Sequence, residues 1–357
     1  MPAGYFFYSS ISAGKHSNAQ KCITRPSMKR VEEAMIKTVG FLVTLAIFAG
    51  LLPGCGTTGG SPAAGRNPVL LTLATGGTAG MYYPFGDALA KVFNQKAGVQ
   101  VAVQATDGSV ENLQLVNRKQ AELAIAQSDM MDYAYNGREA FKDKLTMIRG
   151  IAILYPEIIQ IVVRADSNIN TIADLRGKKV GIGSPGSGTE ANFRQLAAIY
   201  ELDYKDFQPL YLSFGASAAQ FKEKAIDAFI IVSASPSSII QDIAGQHKIK
   251  ILSMSDNVIA KVNKQYPFLA PITIPANTYK GQTAAIRTVA VQAALIVNSS
   301  VPEDVVYTMT KSLFESQSEL VRLHPKGKEL SLEKAARGMS IPLHPGAVKY
   351  YKEKGVY

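Results

Sequence analysis

The chain has 357 residues, 47% of them hydrophobic, which is enough for two domains of ordinary size and too apolar for a disordered protein. Lys and Arg number 38 against 28 Asp and Glu, but residues 1–54 hold six of the former and two of the latter, so the remainder carries 32 against 26. That mild excess, with no basic run interleaved with aromatics, argues against nucleic acid as a partner. The only cysteines, Cys22 and Cys55, cannot build a disulfide framework or a structural zinc site. His16, His247, His324 and His344 have no acidic or nucleophilic signature beside them. Surface or capping roles are expected for them, and no catalytic residue, metal or cofactor is expected anywhere.

Lys29, Arg30 and Lys37, then the apolar run 39–52, then Pro53-Gly54-Cys55 read as an export signal over 28–54. The run is shorter than the roughly 20 apolar residues of a spanning helix. Leu52-Pro53-Gly54-Cys55 resembles the bacterial lipobox, with Pro53 where a small residue is usual. It implies that Cys55 is lipidated and begins the mature chain on the periplasmic or extracytoplasmic face of a bacterial membrane; a plain signal peptide is the alternative. Residues 1–27 read as an upstream extension, because Met28 or Met35 would begin an ordinary signal. Residues 55–67 are Gly, Ser and Pro rich and read as a flexible tether to the membrane.

From Val69 one order of elements occurs twice. The first copy is a strand at 69–73, a loop Gly76-Gly-Thr-Ala-Gly80, a helix with Phe85, Leu89, Val92 and Phe93 at helical spacing, and a strand at 99–103. A helix from Ser109 and a strand ending at Gln127-Ser128 complete it. The second copy is a strand at 179–182, a loop Gly183-Ser-Pro-Gly-Ser-Gly188, a helix with Phe193, Leu196, Ala197 and Tyr200 on one face, and a strand at 208–212. Ser217-Ala-Ala-Gln220 reads as a capping box for its next helix, and a strand at 228–232 leads to Ser233. Strands alternating with helices predict parallel sheets covered on both faces. The apolar stretches 151–163 and 288–297 suit strands that cross between the copies, returning helices that begin at Pro302 and near Pro345 to the first. The expected fold is therefore α/β and two-lobed, of the periplasmic binding protein kind (type II-like), with a ligand cleft between the lobes. Lobe 1 is 68–160 plus 294–357, and lobe 2 is 161–293.

Gly181-x-Gly183-x-x-Gly186 has the letters of a dinucleotide fingerprint, but Pro185 stiffens the loop and no acidic residue ends the following strand to hold a ribose. The loop at 76–80 lacks the Lys and Ser/Thr of a P-loop, and Ser187 lacks the frame of a nucleophile elbow. Both loops end strands and open helices, which offers backbone N–H groups and a positive helix end to an anion, although tight turns with caps read equally well from either loop alone. Ligands of open α/β sheets gather beyond the carboxyl ends of the strands. This position selects Gly77, Thr78, Tyr82, Tyr83, Gln127, Ser184, Ser187, Gly188, Thr189 and Ser233 as ligand-binding candidates. The hydroxyls can donate, and the tyrosines can cover an apolar stem.

Five blocks carry a family resemblance: Ala-Thr-Gly-Gly-Thr-Ala-Gly-Met-Tyr-Tyr-Pro-Phe-Gly at 74–86, Asp-Gly-Ser-Val-Glu-Asn-Leu-Gln-Leu-Val at 107–116, Ala-Ile-Ala-Gln-Ser-Asp at 124–129, Gly-Ser-Pro-Gly-Ser-Gly-Thr-Glu at 183–190, and Ile-Pro-Leu-His-Pro-Gly-Ala-Val-Lys-Tyr-Tyr-Lys-Glu-Lys-Gly at 341–355. Residues 68–357 thereby resemble the TAXI family, solute receptors of TRAP transporters. The resemblance implies a receptor that delivers a small organic acid or amino acid, often glutamate-like, to a sodium-driven membrane permease. Ala79, Met81 and Asp107 depart from the family pattern; Asp107, if it faced the cleft, would favour an ammonium-bearing ligand or oppose a second carboxylate. No arginine is placed to clamp a carboxylate, and Arg194 reads as solvated. A receptor for an ABC importer and a sensory ligand-binding protein are the alternative readings.

Overall fold

The computed structural model describes residues 68–357. The expected extension 1–27, signal 28–54, lipidation at Cys55 and tether 55–67 lie outside the described residues.

In chain order the strands are β1 (Val69–Ala74), β2 (Val99–Gln104), β3 (Leu123–Gln127), β4 (Ile148–Arg164), β5 (Lys179–Gly181), β6 (Gln208–Leu210), β7 (Ala228–Ser233), β8 (Ile249–Ile251), β9 (Ala270–Ile274) and β10 (Ile286–Asn298). The α-helices are α1 (Tyr82–Lys96), α2 (Ser109–Asn117), α3 (Ser128–Asn136), α4 (Gly188–Ile199), α5 (Phe214–Lys222), α6 (Ser238–Gln246), α7 (Asp256–Gln265), α8 (Glu303–Glu315), α9 (Gln317–Leu323) and α10 (Pro345–Glu353).

The strand order is β2-β1-β3-β10-β4-β7-β5-β6, with β9 added to β10 and β8 to β4. Inward from either end it reads second, first, third strand of one sequence copy, then a long strand. Two lobes of α/β architecture therefore share β4, of 17 residues, and β10, of 13. The lobe boundaries read from sequence, 160/161 and 293/294, fall inside these two strands.

The sheet is mixed where parallel sheets were expected. The pairs β1/β2, β1/β3, β5/β6 and β5/β7 are parallel, whereas β10 lies antiparallel to β3 and β4, and β4 antiparallel to β7. The first three strands of each copy run toward the space between the lobes. A crossing strand enters each lobe from that space, so it runs the opposite way beside its neighbour.

The central strands are buried along their whole length, as for strands covered on both faces, and alternate residues enter opposite cores. Along β7, Ala228, Ile230 and Val232 join one core, with Phe193, Leu196 and Val262, while Phe229 and Ile231 join the opposite one, with Phe221, Ile240 and Ile243. In the first lobe Phe85, Leu89, Val92 and Phe93 are fully buried on α1, against β1 and the returning C-terminal helices with Met309, Leu313, Tyr350 and Tyr351. Each such side chain contributes roughly 1.5–3 kcal/mol of apolar burial. Gly86 lets α1 lie against the end of β1: a Cβ there would stand 2.6 Å from Thr75 Cγ2.

The capping box expected at Ser217 is not a helix start. Helix α5 begins three residues earlier, with Ser213 Oγ accepting from Ala216 N at 3.3 Å, and Ser217 is buried inside the helix against Gly181. Ser213 takes the cap because it immediately follows the strand turn, where the backbone is extended. His324 and His344 cap helical turns as expected, their Nδ1 atoms accepting from Lys326 N and Gly346 N at 3.2 Å each.

Candidate functional site

The ends of β1, β3 and β7, with the loop after β5, surround one cavity of about 240 Å³. Its walls are residues 76–82 and 106–109 with Gln127 from the first lobe, and Ser184, 187–189, 213–215, Val232 and Ser233 from the second, with Glu157 of the crossing strand β4. Of the ten candidate residues, Gly77, Thr78, Tyr82, Gln127, Ser184, Ser187, Gly188, Thr189 and Ser233 line this cavity. Tyr83 does not line it. Successive helical residues point about 100° apart, so Tyr82 faces inward and its neighbour turns away.

Four helix N-termini open on the cavity, two from each lobe: α1 after Met81, α2 after Gly108, α4 after Ser187 and α5 after Ser213. Each leaves N–H groups without intrahelical partners and carries the positive end of its macrodipole, worth about 0.3–1 kcal/mol to a nearby anion. Among the described residues no Lys, Arg or His lines the cavity. A negative group would therefore be held by backbone and hydroxyl donors. Arg194 is half-exposed outside the cavity, paired with Glu190 at 3.5 Å and Glu139 at 3.4 Å.

The acids of this region are differently placed. Asp107 lines the cavity and is exposed. Glu157 is 2% exposed, and Tyr82 donates its hydroxyl to Glu157 Oε2 at 2.5 Å. Burial pushes the Glu157 carboxyl up to about 8, with the Asp129 charge adding to the rise. Burial also lifts Asp129 to about 6, against the bonds that it accepts from Asn192 and Met130.

The lobes are in contact around the cavity. Gln127 Nε2 donates to Asn192 Oδ1 at 3.1 Å, and Asn192 Nδ2 donates to Asp129 Oδ2 at 2.6 Å. Gln195 Nε2 donates to the Tyr133 hydroxyl at 3.2 Å, and Val110 N to the Gly186 carbonyl at 3.2 Å. Helix α4 of the second lobe is thus joined by buried polar bonds to β3 and α3 of the first.

Residues 73–355 match the family described as the NMT1-like family. The chain belongs to it. Among solved structures, this NMT1-like chain is similar to the periplasmic aliphatic sulphonate binding protein SsuA of Escherichia coli, at 17% identity and a TM-score of 0.45, covering 80% of this chain and 79% of that one. A structure titled a putative L-cystine ABC transporter from Listeria monocytogenes shows 14% identity and a TM-score of 0.46, covering 74% and 98%. A binding protein component of an ABC phosphonate transporter from Pseudomonas aeruginosa shows 11% identity and a TM-score of 0.49, covering 72% and 79%.

Sequence reading missed Glu157 and the α2 and α5 N-termini in the cavity wall of this NMT1-like protein. A signal for Glu157 was present: it is the single charged residue of the apolar stretch 151–163. A carboxylate inside a buried strand is rare unless it has a partner or a task. For Ser109 and Ser213 the signal was the strand-to-helix turn itself, which recurs at every cavity-facing strand end.

Proposed function

We propose that this NMT1-like protein is an extracytoplasmic solute-binding protein, which captures a small anionic or zwitterionic solute between its lobes and delivers it to a membrane transporter. The observation that carries this reading is the convergence of four helix N-termini, two per lobe, on one cavity that no basic side chain among the described residues lines. Such a site binds without an obvious means of turnover: Ser187, the hydroxyl most like a nucleophile in its Gly-Ser-Gly turn, accepts a helix-capping bond from Glu190 N at 3.2 Å. With neutral donors, charge-assisted bonds of about 1.5–3 kcal/mol each support micromolar affinity, roughly 8 kcal/mol.

Export by the signal at 28–54 and acylation of Cys55 would tether the body beside its transporter. The five motif blocks support a TAXI-type receptor serving a TRAP permease, with a glutamate-like ligand. Two of the similar structures named above are titled as ABC transport components, and none of the three as a TRAP receptor. The proposal therefore stands at the level that the two transporter classes share, and an ABC importer is at least as good a partner as a TRAP permease.

Mass spectrometry of the small molecule released from gently isolated protein, followed by calorimetric titration of that molecule, tests the reading. A stoichiometric small carboxylate or amino acid is expected; turnover of the released molecule, or an unrelated occupant, would overturn it. Uptake in membrane vesicles then separates the partners, since a TRAP permease needs an ion gradient and an ABC importer needs ATP.

A further inference from the structure

The walls of the cavity differ in what they offer. The helix N-termini and hydroxyls present donors, whereas β4 presents an acid deep between the lobes and Asp107 an exposed one at the rim. Glu157 Oε2 is occupied by the Tyr82 hydroxyl, and Oε1 has no hydrogen-bond partner among the described residues. The ionisable groups facing this carboxyl are Tyr82 from α1, Tyr155 from β4 itself and Asp129 from α3, with Val291 opposite on β10. None of them can neutralise an ionised Glu157; Asp129 opposes its ionisation. A glutamine there would accept the same Tyr82 bond without an ionisable group in a buried strand, so the acid calls for a cation that the protein does not supply.

We infer that Glu157 selects solutes that carry a protonated amine, exchanging its own proton for that ammonium when the solute seats. This rests on the receptor reading and adds the residue that reads charge. The carboxyl O–H bond breaks, the proton passes to solvent, and the carboxylate so formed pairs with the solute N–H groups. The solute keeps its own protons, and its anionic end meets the helix N-termini of the other walls. Burial that keeps Glu157 protonated to about pH 8 makes this a real exchange at neutral pH.

The test is calorimetric titration at pH 7 with matched pairs on one carbon skeleton, L-aspartate against succinate and L-glutamate against glutarate, in phosphate and in Tris. The two buffers differ in ionisation enthalpy, so the difference in heat counts protons. The amino acid of a pair should bind at least about tenfold more tightly than its deaminated partner, from one charge-assisted contact. Its binding should release close to one proton. Glu157→Gln should reduce the preference below about threefold and abolish the release. Equal or tighter binding of the deaminated acid, or amino-acid binding without proton release, overturns the inference. Carboxyl-carbon NMR of the ligand-free protein supplies an independent measurement: a Glu157 titrating in the ordinary glutamate range overturns it without any ligand. If no member of the panel binds while Glu157 titrates near pH 8, the receptor reading for small carboxylates and amino acids fails, and the amine-selective role falls with it.

Discussion

Gly188→Ala tests the seam between the lobes. Gly188 is the first residue of α4, and a Cβ built on it would land on the Gln127 amide oxygen, well inside van der Waals contact, with Cδ at 2.5 Å and Nε2 at 3.3 Å. Moving the Gln127 amide is costly: its Nε2 donates to Asn192 Oδ1 at 3.1 Å, although the Oε1 that the Cβ would strike has no hydrogen-bond partner of its own. Moving the amide forfeits the bond to Asn192, about 1 kcal/mol, and leaves a buried acceptor unpaired at about 1–3 kcal/mol. Within its own helix the alanine is favourable by up to about 1 kcal/mol. The contact between the lobes should therefore weaken by about 1–3 kcal/mol, and, with the solute held between them, ligand affinity fall roughly fivefold to hundredfold. Because the seam forms without ligand, the melting temperature of the ligand-free variant should fall by a few degrees. Calorimetric titration with the co-purified ligand, scanning calorimetry and small-angle scattering together read the effect. A variant that binds within twofold of wild type and melts as wild type does would show that Gln127 and Gly188 do not mesh across the seam.

Glu157 and Asp129 stay protonated in the folded chain up to about pH 8 and about pH 6, where unfolded carboxyls have already ionised. Unfolding then releases protons, so ligand-free stability should fall as pH rises, by up to about 1.4 kcal/mol per unit for each group between its unfolded and folded values. Melting scans from pH 5 to 8 should show this decline and a flatter one above pH 6 in Glu157→Gln; equal slopes would remove Glu157 as the cause. Thr78→Ala, Thr189→Ala and Ser187→Ala should each lose about tenfold to a hundredfold in affinity if their hydroxyls serve a charged group, whereas Tyr83→Phe should bind as wild type. Ser187→Ala should also lose about 1 kcal/mol of stability with its helix cap, so its calorimetry is read beside a melting scan. If all three hydroxyl variants bind within twofold of wild type, the solute sits elsewhere. A fatty-acid analogue fed to expressing cells should label wild type and not Cys55→Ser; equal labelling refutes acylation at that position.

Much of the architecture is local information. Phe85, Leu89, Val92 and Phe93 announce the buried face of α1 because helical neighbours recur at short fixed intervals, and β4 and β10 stand out because long apolar stretches suit strands buried on both faces. Gly/Ser/Thr turns after strands likewise identify where helix N-termini can meet a solute, since the turn chemistry is written in adjacent residues. Tertiary structure alone decided which of these features meet. Tyr82 and Glu157 are 75 residues apart, Gln127 and Asn192 are 65 apart, and neither partner's neighbourhood carries a mark of the other. The choice of Tyr82 over Tyr83 depends on how α1 is rotated against the sheet. The antiparallel setting of β10 beside β3 depends on the direction from which the chain re-enters the lobe. Periodicity and capping describe residues a few positions apart, whereas the buried acid and the seam between lobes arise from strand order, which brings distant segments together only after both lobes have packed.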